Sequence, residues 1–315
     1  MVEDGCKGSH HHDKQAIWEE KAKTEIDMTT TGSSLSRERL GEYADKLLAI
    51  VDSEANPLLD IIEKIQISEE NDRKKVDPGF STMLGKLEYS FESMQFSRVT
   101  NNNEHISDQI MTTESLIKAL VAKLEKHEVI ALLDTYVVPL IPIDDRFKII
   151  DLASGIGRFL KYFSSNFKHV VEVDFVKENI QKAEELNWEI HNAEYLVKDV
   201  KNVEFAPNTI NLIFGNWILQ YLDDDEIVAF LSHIGKWLVH GGFAFFHEGV
   251  RTNFEGRLPD KKENPAIFRS SAELYNKLFE RAGFEIIQQG SLKTYQQIFG
   301  NPDQIYWILQ HRKQD

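Results

Sequence analysis

Lys148-Ile-Ile-Asp-Leu-Ala-Ser-Gly-Ile-Gly-Arg158 is the stretch whose reading decides the fold. A short β-branched run ends in an acid, turns through two glycines and passes into a segment of helical character. Gly155 and Gly157 suit a turn whose backbone amides meet a ligand closely, because a side chain there would occupy the ligand's volume. No Gly-Lys-Ser/Thr closes the turn, so it is not a P-loop. The residue three after Gly157 is Leu160, where a dinucleotide fingerprint wants glycine, which disfavours a pyrophosphate.

Outward from this turn, strand candidates alternate with helical segments, the pattern of a parallel sheet covered by helices. They are Lys148–Leu152, His169–Asp174, Glu194–Lys198, Ile210–Phe214, Gly242–Phe246, Phe284–Ile287 and Gln304–Leu309. Seven strands fit one sheet. Helices are expected after Gly157, at Lys177–Asn187, at Asp224–Leu238 and at Ser271–Ala282, with Gly283 as a stop. About twenty residues past the glycine turn, Asp174 ends the second strand, where a carboxylate can accept from both ribose hydroxyls. Asp199 ends the third, within reach of an adenine amine. Strand ends are often Asp simply because Asp favours turns. Three acids at consecutive strand ends together with the glycine turn point instead to a nucleoside site.

Before Phe147 the sequence has another character. Apolar residues at helical spacing (Leu40, Tyr43, Leu47, Leu48; Leu58, Leu59, Ile62, Ile65) predict two amphipathic helices interrupted near Asn56-Pro57. The polar stretch 68–79 reads as a linker, and a further helix is expected from Thr113 to about Leu133. Thr113 would cap it, and Leu116, Leu120 and Leu124 would be its buried face.

The 315 residues carry 51 acids against 36 Lys plus Arg, a net charge of −15, which disfavours nucleic acid and anionic membranes as partners. The charge is uneven: residues 1–145 carry −12 and residues 251–315 carry +2. A single cysteine, Cys6, excludes an internal disulfide. With no signal-peptide core and no long apolar run, a cytoplasmic location is expected. His10, His11 and His12 read as incidental, and no metal is expected.

The string Asp151-x-x-x-Gly-x-Gly, with Asp174 and Asp199, resembles motif I and its neighbours in class I S-adenosylmethionine-dependent methyltransferases. That family has a glycine where this chain has Ala153. A narrower similarity is carried by Gly155-Ile-Gly-Arg-Phe159, Val173-Asp-Phe175, Asn216-Trp-Ile-Leu-Gln-Tyr-Leu-Asp-Asp-Asp-Glu226, Trp237-Leu, Glu248, Asn264-Pro-x-x-Phe-Arg269 with Tyr275, and Gln304-Ile-Tyr-Trp307. These resemble the first methyltransferase domain of plant and nematode phosphoethanolamine N-methyltransferases. The resemblance implies a Rossmann-like α/β domain over residues 81–315, its seven-stranded sheet covered by helices on both faces, and leaves residues 1–80 as an acidic helical extension and linker. It further implies S-adenosylmethionine as cofactor, held by Asp151, Ala153, Gly155, Gly157, Asp174, Phe175, Asp199, Val200 and Asn216, and a small phosphorylated amine on the route to phosphocholine as substrate.

Such a substrate needs fixed cations for its phosphate. Arg269 is the leading candidate, with Arg251 and Lys293 behind it, and an exposed helix-terminal Arg269 is the plain alternative. The resemblance places Tyr221 facing the reacting amine, while His247 and Glu248 follow the fifth strand; each could orient the nitrogen or relay its proton. Trp217 is read as core before adenine support, and Asp223–Glu226 as a helix N-terminal charge cluster. Two other functions stay open: methylation of a protein α-amine, and a noncatalytic methyltransferase-like domain suggested by Ala153, His247, Phe268 and Asn211. Residues 36–66 could serve self-association or partner docking.

Overall fold

Isoleucine and valine dominate the central runs, which suits strands buried on both faces. The computed structural model describes residues 106–251 and 266–312. The expected helices at 34–67, the linker 68–79 and the polar loop 101–105 lie outside the described residues. Helix α1 (Ile106–Tyr136) precedes an alternating series: β1 (Lys148–Leu152), α2 (Leu160–Asn166), β2 (His169–Asp174), α3 (Lys177–Leu186), β3 (Ala193–Val197), β4 (Ile210–Asn216) and α4 (Asp224–Ile234). Then follow β5 (Leu238–Gly249), α5 (Ala272–Arg281), β6 (Phe284–Ser291), α6 (Lys293–Phe299) and β7 (Gln304–His311).

These residues form two compact units, one containing Leu132–Ser291 and the chain from Asp303 on, the other containing α1 up to Ala131 and Leu292–Pro302. In the second, Glu128 of α1 accepts from the amides of Lys293 and Thr294 at 2.7 and 2.9 Å and from Thr294 Oγ1 at 2.7 Å. Its carboxylate thus satisfies donors at the start of α6 that have no partner in the helix.

The first unit holds all seven strands in one sheet, in the order β3-β2-β1-β4-β5-β7-β6. β7 runs antiparallel to both its neighbours, which corrects the expectation of a parallel sheet. An antiparallel pair such as β6 and β7 needs only a local connection, whereas parallel neighbours need a full crossover. Helices cover both faces. Ile150, Leu152, Val171, Val173 and Ile213 join Phe230 and Leu231 of α4 and Leu278 and Phe279 of α5 in one buried cluster. On the other face the Phe214 ring lies 4.8 Å from that of Phe159 and 5.1 Å from that of Phe163. Asp151 and Glu172 pair in register between β1 and β2, and Asp151 pairs with Phe214 of β4, so both acids lie on the Phe214 side.

Several boundaries differ from expectation. α1 begins at Ile106, so Thr113 lies inside the helix and does not cap it; no glycine or proline intervenes to stop the helix earlier. Leu120 and Leu124 are buried as expected. α4 stops at Ile234, and Leu238, expected at the end of that helix, instead begins β5. The Asp223–Glu226 run does start α4, as a capping box in which Asp223 Oδ1 accepts from the Glu226 amide at 2.8 Å and Glu226 Oε2 from the Asp223 amide at 3.0 Å.

The turn after β1 has positive φ at Ala153 (58°), Gly155 (57°) and Gly157 (73°). An L-residue in that region carries strain of roughly 1–2 kcal/mol, more than the roughly 0.5–1 kcal/mol of extra unfolded-chain entropy a glycine brings. Ala153→Gly is therefore expected to raise Tm by about 2 °C in a thermal melt. A fall would mean that packing of the Ala153 methyl against the core outweighs the strain.

Candidate functional site

β1, β2 and β3 deliver the three expected acids to the carboxyl edge of the sheet, and the glycine turn arches over the first two. Among the described residues, no atom lies within 4 Å of where a Cβ on Gly155 would stand, so they leave the space above it open. A Cβ on Gly157 would meet Asn187 Nδ2 at 3.2 Å, Ala183 Cβ at 3.3 Å and Glu172 Oε2 at 3.5 Å. Gly155 thus leaves room for a ligand, while Gly157 lets the turn settle onto α3 and Glu172.

Asp174 is buried at the end of β2. Its Oδ2 accepts from the Gly155 amide at 3.0 Å; its Oδ1 accepts from the Val176 amide at 2.8 Å and Asn179 Nδ2 at 3.3 Å. The acid expected to meet ribose therefore also ties the glycine turn to β2. Asp199 Oδ1 accepts from the Lys201 amide at 2.9 Å and starts the short turn Val200–Asn202. Ala153, Phe175, Val200 and Asn216 are half-buried at the same edge.

Glu172 was not foreseen. It is fully buried beside Asp151, and among the described residues no backbone N–H reaches its carboxyl, whose polar neighbour is the Ser154 hydroxyl. Its signal in the sequence was its spacing: an acid two residues before Asp174 in a strand must share Asp174's face. Burial first, with the charge of Asp174 adding, pushes its carboxyl up to about 8 against the pull of the Ser154 hydroxyl. Burial first, and then Glu172 and Asp174, raise Asp151 well above the carboxylate range, with Arg158 opposing. Asp174 is raised too, by burial, against the pull of its hydrogen bonds.

β4 and β5 supply the other side. His247 is fully buried, with Nδ1 2.6 Å from Asn216 Oδ1. Trp217 stands edge-on to it at 5.4 Å between ring centroids, with φ +63°. Trp217 is half-buried, so it is not simply core. Tyr221 accepts from Gln220 Nε2 at 3.1 Å, and burial with the nearby Glu248 charge raises its phenol. It is therefore protonated at neutral pH and acts as a hydrogen-bonding hydroxyl, not as a phenolate base. Glu248 is fully buried. Its Oε1 accepts from the amides of Ile218 and Leu219 at 2.8 and 2.6 Å, and its Oε2 from Gln220 at 3.2 Å. Burial pushes it up to about 7, against those bonds and Arg269.

Arg269 departs from expectation. It is neither exposed nor available to a phosphate: Nε and Nη2 bind Asp224 Oδ1 at 3.2 and 2.8 Å, Nη1 binds the carbonyls of Leu219 and Ile267 at 3.2 and 3.1 Å, and Nη2 binds that of Leu222 at 2.8 Å. These bonds use all the N–H donors a guanidinium has. Arg251 is half-buried just beyond β5 and stacks 4.0 Å over the Phe268 ring. Lys293 is exposed at the start of α6, in the second unit. Among the described residues, no group of three or more His, Cys, Asp or Glu could hold a metal, and no helix is long and apolar enough to cross a membrane.

Residues 149–242 match the methyltransferase domain family. A phosphoethanolamine N-methyltransferase of Triticum aestivum is 31% identical over 224 residues, 66% of this chain and 42% of that protein. An alpha N-terminal protein methyltransferase 1 of Oryza sativa subsp. japonica is 30% identical over 149 residues, 44% of this chain and 46% of that protein. This chain thus spans less than half the length of either curated relative. Among solved structures, Haemonchus contortus phosphoethanolamine N-methyltransferase 1, in complex with phosphoethanolamine and S-adenosylhomocysteine, matches with a TM-score of 0.53 at 22% identity. The match covers 72% of this chain and 50% of that one. The sheet has the Rossmann-like fold of the class I methyltransferases.

Glu172 allows a test that needs no substrate. Its folded pKa lies above its ordinary 4.5, so between about pH 4.5 and about pH 8 the folded protein holds a proton that the unfolded chain has lost, and stability falls as pH rises through that window. Glu172→Gln removes this dependence. In melts from about pH 5 to about pH 8, the variant's advantage over wild type is expected to grow with pH. A gap that stays constant would place Glu172 in the ordinary carboxylate range.

Proposed function

We propose that this class I methyltransferase domain transfers a methyl group from S-adenosylmethionine to the amine of a small phosphorylated acceptor, with phosphoethanolamine the leading candidate. The observation that carries it is the glycine turn bound to a buried strand-end acid, with open space above Gly155, in a chain resembling enzymes named for that substrate.

The residues fit the cofactor. Asp174 and Asp199 end adjacent strands, where a carboxylate can take ribose hydroxyls and the adenine amine. Asp151, Glu172 and Asp174 line the floor of the turn with carboxyl groups that burial raises, and a bound ammonium or sulfonium charge would favour their ionised forms. The cofactor supplies an electrophilic methyl on sulfur. The chain's part is alignment and proton control: the acceptor nitrogen must present a lone pair in line with the sulfur–methyl bond, and orientation of that kind supplies much of the acceleration. Tyr221, protonated, can accept or donate one hydrogen bond to the amine and so orient it. His247, fixed through Asn216, can do the same from the next strand.

For the phosphate we assign Arg251, since the donors of Arg269 are bound inside the protein. Its position just beyond β5 and its stacked guanidinium suit a planar cation receiving a phosphate. Methylation of a protein α-amine is the second reading, favoured by the similarity to the rice enzyme; it needs no phosphate cation.

A radiolabelled methyl-transfer screen over phosphoethanolamine, its mono- and dimethyl forms, ethanolamine and N-terminal peptides separates the two. Label in a phosphobase is expected; label confined to peptides would replace this function with the second. Arg251→Ala is expected to raise the phosphobase KM about tenfold or more and to leave ethanolamine unaffected. Equal losses on both would remove Arg251 from the phosphate. Asp174→Ala is expected to weaken S-adenosylmethionine binding about tenfold or more by calorimetry, and unchanged affinity would move the cofactor elsewhere.

A further inference from the structure

The loop from β4 to α4, residues 217–223, carries Trp217 and Tyr221, and its backbone is held from two sides by buried charged groups. Glu248 takes three consecutive amides, those of Ile218, Leu219 and Gln220. Arg269 takes two carbonyls of the same loop, those of Leu219 and Leu222. The Trp217 amide donates to the His247 carbonyl at 2.9 Å, and the Ile267 amide to the Gln220 carbonyl at 2.6 Å. Arg269 also pairs with β5, where Val250 bridges to it and the Arg251 amide donates to its carbonyl at 2.9 Å.

Burying a carboxylate and a guanidinium is costly, and well-packed apolar residues often stabilise a fold equally well. A carboxylate and a five-donor fork supply something apolar residues cannot, a fixed direction for each backbone group they bind. We propose that Glu248 and Arg269 are a pair of positioning residues, Glu248 holding the amides and Arg269 the carbonyls of Ile218–Leu222, so that the loop presents Trp217 and Tyr221 to the acceptor amine in one fixed geometry. This rests on the methyl-transfer function proposed above. Neither side chain need touch the substrate, and Arg269 acts through the loop instead of binding phosphate. Asp224, exposed at the start of α4, completes the device by gripping the far side of the guanidinium through Nε and Nη2.

The test compares Glu248→Gln, Arg269→Lys, Asp224→Ala and the Glu248→Gln/Arg269→Lys double variant. Each single variant is expected to lower kcat, about tenfold or more for the two buried positions and less for Asp224→Ala. Acceptor KM and S-adenosylmethionine affinity should stay within about threefold. The double variant should fall no further than the worse single one, because both act on one loop. A raised KM for phosphorylated acceptors with kcat retained would return Arg269 to the phosphate and overturn the proposal. Amide hydrogen exchange reads the same device without any substrate: Ile218, Leu219 and Gln220 should exchange about tenfold faster or more in Glu248→Gln and in Asp224→Ala, with β1 and β2 unchanged. Asp224 is 62% exposed, so that variant folds even where a buried one does not. Exchange in the loop that stays at the wild-type rate overturns the clamp; faster exchange without methyl transfer to any acceptor would leave the clamp standing and remove the function it was proposed to serve.

Discussion

Where parallel strands stop, their backbone must turn away from the sheet, and the amides of the turn lose their ladder partners while still buried. Everything at the carboxyl edge of this sheet depends on satisfying those amides, because an unpaired buried N–H costs about as much as a lost hydrogen bond. Backbone carbonyls take some of them, as His247 does for Trp217, and acids take others. Asp174 takes Gly155 and Val176, Asp199 takes Lys201, and Glu248 takes Ile218, Leu219 and Gln220. The geometry of the turns after β2 and β4 is therefore set by carboxylates on rigid strands, Asp174 and Glu248, as well as by the turns' own sequence.

This arrangement has an electrostatic consequence. Asp151, Glu172 and Asp174 are buried near one another on the adjacent strands β1 and β2, Glu248 is buried on β5, and burial raises all four. Two distinct conditions result. Asp174 and Glu248 accept from backbone N–H groups, while Glu172 has the Ser154 hydroxyl and, among the described residues, no backbone N–H to offset its burial. The first two anchor backbone amides, which favour their charged form against burial; Glu172 is more stable with its proton. The floor beneath the glycine turn is thus less negative than a count of its acids suggests.

Much of this could be read in the sequence, and the parts that could not share a cause. All seven strands appear where β-branched runs predict them, and Gly155, Gly157 and Asp174 meet in space because spacing along a βαβ unit is local information. Arg269 could not be placed this way. Its partners Leu219, Leu222 and Asp224 are some fifty residues earlier, and only the folded chain brings its guanidinium under that loop. A cation in residues 251–315, the slightly basic end of an acidic chain, looks like an anion receptor until its donors are accounted for. Glu248 lies two residues past the expected strand Gly242–Phe246 but inside β5, which runs to Gly249, and the fact that both of its oxygens face backbone was not visible in residue type. Ala153 is the reverse case: its departure from glycine was evident in the sequence, and its left-handed backbone shows what that departure costs.

The position of β7 also bears on how the sheet is assembled. It lies between β5 and β6, antiparallel to both, yet it follows both in the chain. During synthesis β1 to β5 can pair as they emerge, each joining a strand already made. β6 cannot, for its only neighbour does not yet exist. Until residues 304–311 leave the ribosome, the Phe243–Gly249 side of β5 and all of β6 present open hydrogen-bonding edges, surfaces on which nascent chains aggregate or recruit chaperones. The order of strands that completes the sheet thus also sets the earliest moment at which it can close.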